Sequence, residues 1–192
     1  MIESIFPTLV ANSYDSQFDL VKDDLVAWMT NYAKTYPTNS RSNVDGYQSP
    51  DDFWEMDAFA PFLNYMSPRI LELVEEYRAH DEAHFEFEPR LSNMWFNINY
   101  KHCYNVSHTH PGCIFAGVFW VSSPKNSGEL VFRHPDEHNI APIQDTNLTI
   151  PPVEGGMYLF PGSLYHYVLS LIHISEPTRR RGMGGGGGGG GK

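Results

Sequence analysis

His108-Thr109-His110, with His166 much later in the chain, are the residues whose types and spacing best fit chemistry. In an extended strand alternate side chains point to one face, so His108 and His110 are expected to share a side. His166 arrives behind the turn Pro161-Gly162, after the short apolar run Gly156–Phe160. Three imidazoles converging from two strands make a candidate site for a divalent transition metal, and imidazole suits iron, zinc, copper and nickel. A lone histidine in any of these places reads equally as a surface or hydrogen-bonded residue. What joins them is a common setting: each lies beside a turn in a strand-rich half.

The elements that must position them divide the chain in two. Residues 1–12 are apolar apart from a few positions, and a first strand is expected at Ser4–Val10. Asp19–Tyr36 has helical spacing, with Leu20, Leu25, Trp28, Met29 and Tyr32 recurring at threes and fours, and Ser16 or Asp19 as its cap. Residues 37–51 are rich in Ser, Asn and Gly and read as a loop. A second helix is expected over Phe62–His80, its apolar face made by Leu63, Met66, Ile70, Leu71, Val74 and Tyr77. Ser67 would cap its main run and Pro68 would stand at the first helical position.

From residue 85 short runs alternate with turn signals. Strands are expected at Phe85–Glu88, Asn93–Tyr100, Ile114–Ser122, Glu129–Arg133, Leu148–Ile150, Gly156–Phe160 and Tyr165–Val168. That spacing predicts a mostly β domain, an antiparallel sandwich or barrel with N-terminal helices to one side.

Composition narrows the function classes. The chain has 192 residues, enough for one domain with a sizeable core, and 41% of them are hydrophobic. A net charge of −10 argues against a partner bound through nucleic-acid phosphates. No run approaches the length needed to span a bilayer, and no signal peptide is legible at the start. The two cysteines, Cys103 and Cys113, show no C-x-x-C pattern, which suits a reducing cytoplasm rather than a disulfide framework.

Residues 169–192 read differently from the rest. Eight consecutive glycines, Gly184 to Gly191, cannot form a core. Leu169–Arg179 resembles a translated sequencing adapter, so 169–192 is expected to be a foreign, disordered tail. The domain is then 1–168, with helical support over 19–80 and the β part over 85–168. Four of the basic residues (Arg179, Arg180, Arg181 and Lys192) lie in that tail against one acid, Glu176, so the body is more acidic still.

Several segments together resemble the 2-oxoglutarate/Fe(II)-dependent oxygenases, in particular a poorly characterised branch frequent in phages and marine bacteria. They are SNVDGYQS (42–49), WFNINY (95–100), NVSHTHPG (105–112), AGVFWV (116–121), GELVFRHP (128–135) and GGMYLFPGSLYH (155–166). The resemblance implies a double-stranded β-helix (jelly roll), of which the last strand would be missing if the natural chain stops near Val168. It implies Fe(II) as metal and 2-oxoglutarate as cosubstrate, with hydroxylation of a substrate and release of succinate and CO2.

Carried over residue by residue, His108 matches the first histidine of the family's iron site and His166 the distal one. His110 stands where the family has an acid. Either His110 is a third ligand, leaving the site one charge more positive, or a carboxylate comes from elsewhere, with Asp136 and Glu137 the nearest. The family's cationic anchor for 2-oxoglutarate usually lies on a strand after the distal histidine, where only the stretch read as foreign, with Arg179–Arg181, follows Val168, so none is assigned. Tyr104 and Asn97 are the polar candidates for cosubstrate contact. Two alternatives remain: a three-histidine, cupin-type metal dioxygenase that needs no 2-oxoglutarate, or a non-catalytic jelly-roll binding or phage structural module.

Overall fold

The computed structural model describes residues 7–52, 55–80, 88–135 and 147–169. Its elements in chain order are β1 (Ala11–Tyr14), α1 (Asp19–Thr35), β2 (Asn43–Val44), β3 (Tyr47–Gln48), a short 3-10 turn (Asp57–Phe59) and α2 (Ala60–His80). There follow β4 (Asn97–Ile98), β5 (Tyr104–His108), β6 (Phe115–Phe119), β7 (Leu130–Arg133), β8 (Asn147–Ile150), β9 (Gly156–Pro161) and β10 (His166–Val168).

The strands form antiparallel sheets: β1-β9-β6, β2-β5-β10-β7-β8 and the small pair β3-β4. Period-two side-chain alternation explains how they stack. On β9, Met157 and Leu159 point one way and pack with Met66, Leu73 and Val74 of α2. Tyr158 and Phe160 point the other way and meet Leu130 and Phe132 of β7. β6 divides likewise: Phe115 and Phe119 face the helix side, and Ala116 and Val118 face the second sheet. The result is three layers, helices on the three-stranded sheet and that sheet on the five-stranded one, as expected for a mostly β domain with N-terminal helices.

Both helices are present, with corrected details. α1 buries Leu25, Met29 and Tyr32, but Leu20 is 81% exposed, because it falls off the stripe that those three define. Neither Ser16 nor Asp19 caps it. The cap residue is Phe18, and the entry turn is closed by Asp15, whose carboxylate accepts the Gln17 amide and whose carbonyl accepts that of Phe18. α2 starts at Ala60 and carries Pro68 in its interior, so Ser67 is no cap. Ser67 Oγ instead donates to the Leu63 carbonyl at 2.7 Å. Interior proline costs about 3 kcal/mol, and the burial of Met66, Leu73 and Val74 against β9 offsets it. Leu73, not Leu71, lies on the packed face.

The first strand lies at Ala11–Tyr14, beyond the expected Ser4–Val10, and pairs with β9 from Ala11↔Leu159 to Tyr14↔Gly156. Residues 1–6 and the expected strand at Phe85–Glu88, except Glu88, fall outside the described residues. The polar stretch 37–51 is not a surface loop. It holds β2 and β3, and Ser42, Asn43, Gln48 and Ser49 are buried. Side-chain hydrogen bonds make that burial tolerable: Ser49 Oγ, for example, accepts the Phe96 amide at 3.0 Å.

A charged link ties β1 to α2. Tyr65 donates its hydroxyl to Asp15 Oδ2, and Arg69 Nε donates to the same oxygen at 2.6 Å. Burial alone would raise the Asp15 pKa, but the hydrogen bonds from Tyr65, the Gln17 amide and Arg69, with the Arg69 charge, outweigh it and hold the carboxyl below its ordinary value. A depressed carboxylate stabilises the fold above the ordinary carboxylate range, and that contribution is lost as pH falls through the folded value. Asp15→Asn is therefore expected to cost about 1–3 kcal/mol at pH 7, with the deficit shrinking below about pH 4. Urea denaturation at both pH values measures it. A deficit independent of pH would mean that packing, not charge, carries the link.

Candidate metal centre

The two strands that hold the site are neighbours in the five-stranded sheet. His108 at the end of β5 and His166 at the start of β10 are direct cross-strand partners. Directly opposed residues of an antiparallel pair share a face, and the two ring centroids are 4.4 Å apart. Continuing across the sheet, His166 opposes Phe132 and Phe132 opposes Leu148. One row thus reads Leu148, Phe132, His166, His108, on the face turned to the sandwich interior.

His110 reaches the same place by another route. β5 ends at His108, so His110 belongs to the loop beyond the strand. Backbone hydrogen bonds stitch that loop to the β9–β10 turn: the His110 amide donates to the Gly162 carbonyl at 2.7 Å, and the Gly162 amide to the Ile114 carbonyl at 2.9 Å. Glycine is required there, since a Cβ on residue 162 would sit 2.3 Å from the Cys113 carbonyl oxygen. Gly162→Ala must displace the loop, and a loss of metal affinity of about 10–100-fold is expected, as for other supports of metal ligands. Equilibrium dialysis against Co(II) reads it, and unchanged affinity would show that this contact does not place His110.

The three histidines offer ligand atoms that all lie within 4.8 Å of one another. His110 Nε2 is 3.2 Å from His166 Nε2, close to the separation of two nitrogens that each sit about 2.1 Å from one shared metal ion. The other ring nitrogens are engaged as ligands usually are. His108 Nδ1 donates to the Val106 carbonyl at 2.7 Å, and His166 Nδ1 to the Leu164 carbonyl at 2.9 Å. Both bonds fix the tautomer that leaves Nε2 bare for a metal. With the His166 Nε2 lone pair free, His110 Nε2–H is the donor of the 3.2 Å contact, so His110 must shift its proton to Nδ1 to bind metal.

Burial favours the neutral, ligating form of His110 and His166. His110 is held below the ordinary imidazole value by burial and then by His108. His166, 4% exposed, is driven down to about 4 by burial, which outweighs the Leu164 carbonyl's pull the other way; His108 and His110 add to the fall. Neutral imidazole is what a divalent metal binds. Aromatic rings enclose the site: Phe160 stands edge-on to His166 at 4.7 Å, and Trp95 lies 5.4 Å from His110. Trp95 thus does more than fill the helix-side core.

The remaining candidates are less close to the chemistry. Tyr104 opens β5 and is 40% exposed, with no hydrogen bond to the cluster among the described residues. Asn97 on β4 is exposed, and its Oδ1 accepts from Asn43 Nδ2 at 3.3 Å. Asp136 and Glu137 lie outside the described residues. Arg133 follows Phe132 on β7, so its side chain points to the face away from His166. Sequence reasoning missed an amide chain behind β5. Asn43 donates to Asn99 at 2.6 Å, Asn99 to Asn105 at 3.2 Å, and Asn105 to Ser42 at 3.3 Å. Its signal was the pair of asparagines inside the otherwise apolar WFNINY.

Residues 93–179 match the family model described as "Putative 2OG-Fe(II) oxygenase". That segment of the chain is similar to the 2OG-Fe(II) oxygenase family. It contains His108, His110, His166, Tyr104 and Asn97, and the match runs on past Val168 into the stretch read above as foreign. The family implies Fe(II) and 2-oxoglutarate as metal and cosubstrate, and His108, His110 and His166 could bind the metal. Its fold is similar to the crystal structure of a prolyl-4-hydroxylase from Pseudomonas putida, with a TM-score of 0.54 and 14% identity, covering 83% of this chain and 85% of that one. The three layers are thus the expected jelly roll with its supporting helices. No curated protein matches the chain. Among the described residues no helix is long and apolar enough to cross a membrane.

Proposed function

We propose that the chain is an Fe(II)- and 2-oxoglutarate-dependent dioxygenase that hydroxylates its substrate and releases succinate and CO2, with iron held by His108, His110 and His166. The convergence of three Nε2 or Nδ1 atoms within 4.8 Å carries this reading. Bound iron would supply the oxygen-activating chemistry that no side chain can perform. The protein's part is geometric. The Val106 and Leu164 carbonyls orient two of the rings, and the Gly162 contact brings in the third. Phe160, Phe132 and the buried side of His166 keep water from one flank. His108 and His110 are half-buried and leave the other flank accessible. Tyr104 is the candidate hydroxyl for the cosubstrate's far carboxylate, and Asn97 a second polar contact.

Anaerobic loading with Fe(II), followed by oxygen and 2-oxoglutarate, tests it. One iron per chain and iron-dependent succinate formation are expected. An iron-loaded protein that leaves 2-oxoglutarate untouched would sink the proposal. The all-imidazole cluster favours one second reading, a three-histidine dioxygenase without 2-oxoglutarate, which would consume oxygen with its substrate when the keto acid is withheld.

A further inference from the structure

We propose that Asn105 is a positioning residue for His108, acting on its ring through a β-bulge that it pins. The proposal rests on the metal-centre reading above and concerns what aims one of its ligands. β10 and β5 pair at His166↔His108 and again at Val168↔Asn105, so two steps along β10 match three along β5. Val106 and Ser107 together stand opposite Tyr167, which makes a bulge in β5. In a regular strand residues three apart face opposite sides. The bulge lets both turn inward: Asn105 is 5% exposed, and His108 lies beside His166. Bulges next to functional sites re-aim side chains in this way.

The extra residue also supplies the ring's partner. The Val106 carbonyl, inside the bulge, accepts from His108 Nδ1 at 2.7 Å and so fixes the tautomer that leaves Nε2 bare. Side-chain packing does not hold the bulge, since Val106 is 42% exposed and Ser107 is exposed as well. A strand with so few buried positions specifies its register weakly. The fixed points lie at its entry. Asn105 Nδ2 donates to Ser42 Oγ at 3.3 Å, and Asn105 Oδ1 accepts from Asn99 Nδ2 at 3.2 Å. The carbonyl of the same Ser42 accepts the Val106 amide at 2.9 Å. Ser42 thus grips the bulge from both its first residue and the one before it. An apolar side chain at 105 breaks both amide bonds and frees the bulge to shift along the strand, which takes the Val106 carbonyl away from the His108 ring.

Imidazole nitrogen chemical shifts of the metal-free protein test it, at about pH 8 where an ordinary imidazole is neutral. Wild type should carry its proton on Nδ1 at both His108 and His166. Asn105→Leu, close in size, should shift the His108 proton toward Nε2 and leave His166 as it was, because the Leu164 carbonyl that holds His166 lies outside the bulge. Co(II) affinity should fall about 10–100-fold with it. Ser42→Ala removes one pin and keeps the backbone bond to Val106, so it should move His108 the same way by less. That variant decides the matter if Asn105→Leu does not fold. A His108 that keeps its Nδ1 proton in the folded variants overturns the proposal, as does a wild type without that proton. An equal change at His166 overturns it too, since the effect then spreads through the fold and not through the bulge. A wild type that binds no Co(II) sinks the metal-centre reading alone, for the tautomer comparison still decides whether Asn105 sets the His108 ring.

Discussion

Alanine at position 166 is expected to abolish tight metal binding, lowering affinity for Fe(II) or Co(II) by more than ~100-fold, beyond what losing an outer support costs. His166 is the proposed ligand with most to lose. It is cross-strand partner to His108, lies 3.2 Å from His110 through Nε2, and is fixed from behind by the Leu164 carbonyl. Removing the ring leaves two imidazoles, too few to hold a metal at a half-open site, and orphans a buried carbonyl at a cost of about 1–3 kcal/mol. The variant should therefore melt earlier without unfolding, with succinate formation gone. Dialysis and a thermal scan together separate the effects. A folded His166→Ala that keeps its metal would place the centre elsewhere.

Phe160→Ala is expected to destabilise the fold by about 3–5 kcal/mol, the range for emptying a large aromatic site in a core. Phe160 is 0% exposed and bridges the two sheets. Its ring stands edge-on to Phe132 at 4.8 Å and to His166 at 4.7 Å. A cavity there removes the wall behind the proposed ligand His166, so metal affinity should fall with stability. Leu148→Ala is the control: Leu148 shares the row with Phe132 and His166 but is 58% exposed, and surface changes stay within about 0.5 kcal/mol. Denaturant midpoints compare the two. A Phe160→Ala cost below ~1 kcal/mol would contradict the packing between the sheets.

The site was legible because its signals are local. A histidine pair two apart, a Pro-Gly turn and a third histidine behind it are short patterns, and the apolar run 156–160 reads as a strand. Element boundaries were less legible where partners choose them. Pro68 reads as a helix start, yet α2 runs through it, because the reward for burying Met66 against β9 appears only once β9 is in place. The stretch 37–51 reads as a loop from composition, since a polar segment gives no sign that Asn99, Asn105 and Phe96 wait to satisfy it.

By itself the sequence determined the fold class, the helical and β halves, and the three imidazoles, since periodicity and residue chemistry are properties of the chain alone. Tertiary structure decided which of them meet. Register alone set His108 opposite His166, and a slip of one residue would have turned His166 to the other face. Only the closeness of two loops, possible because Gly162 has no side chain, brought His110 in from beyond the strand. Only packing pushed the His110 and His166 pKa values down, because desolvation depends on neighbours far apart in the chain.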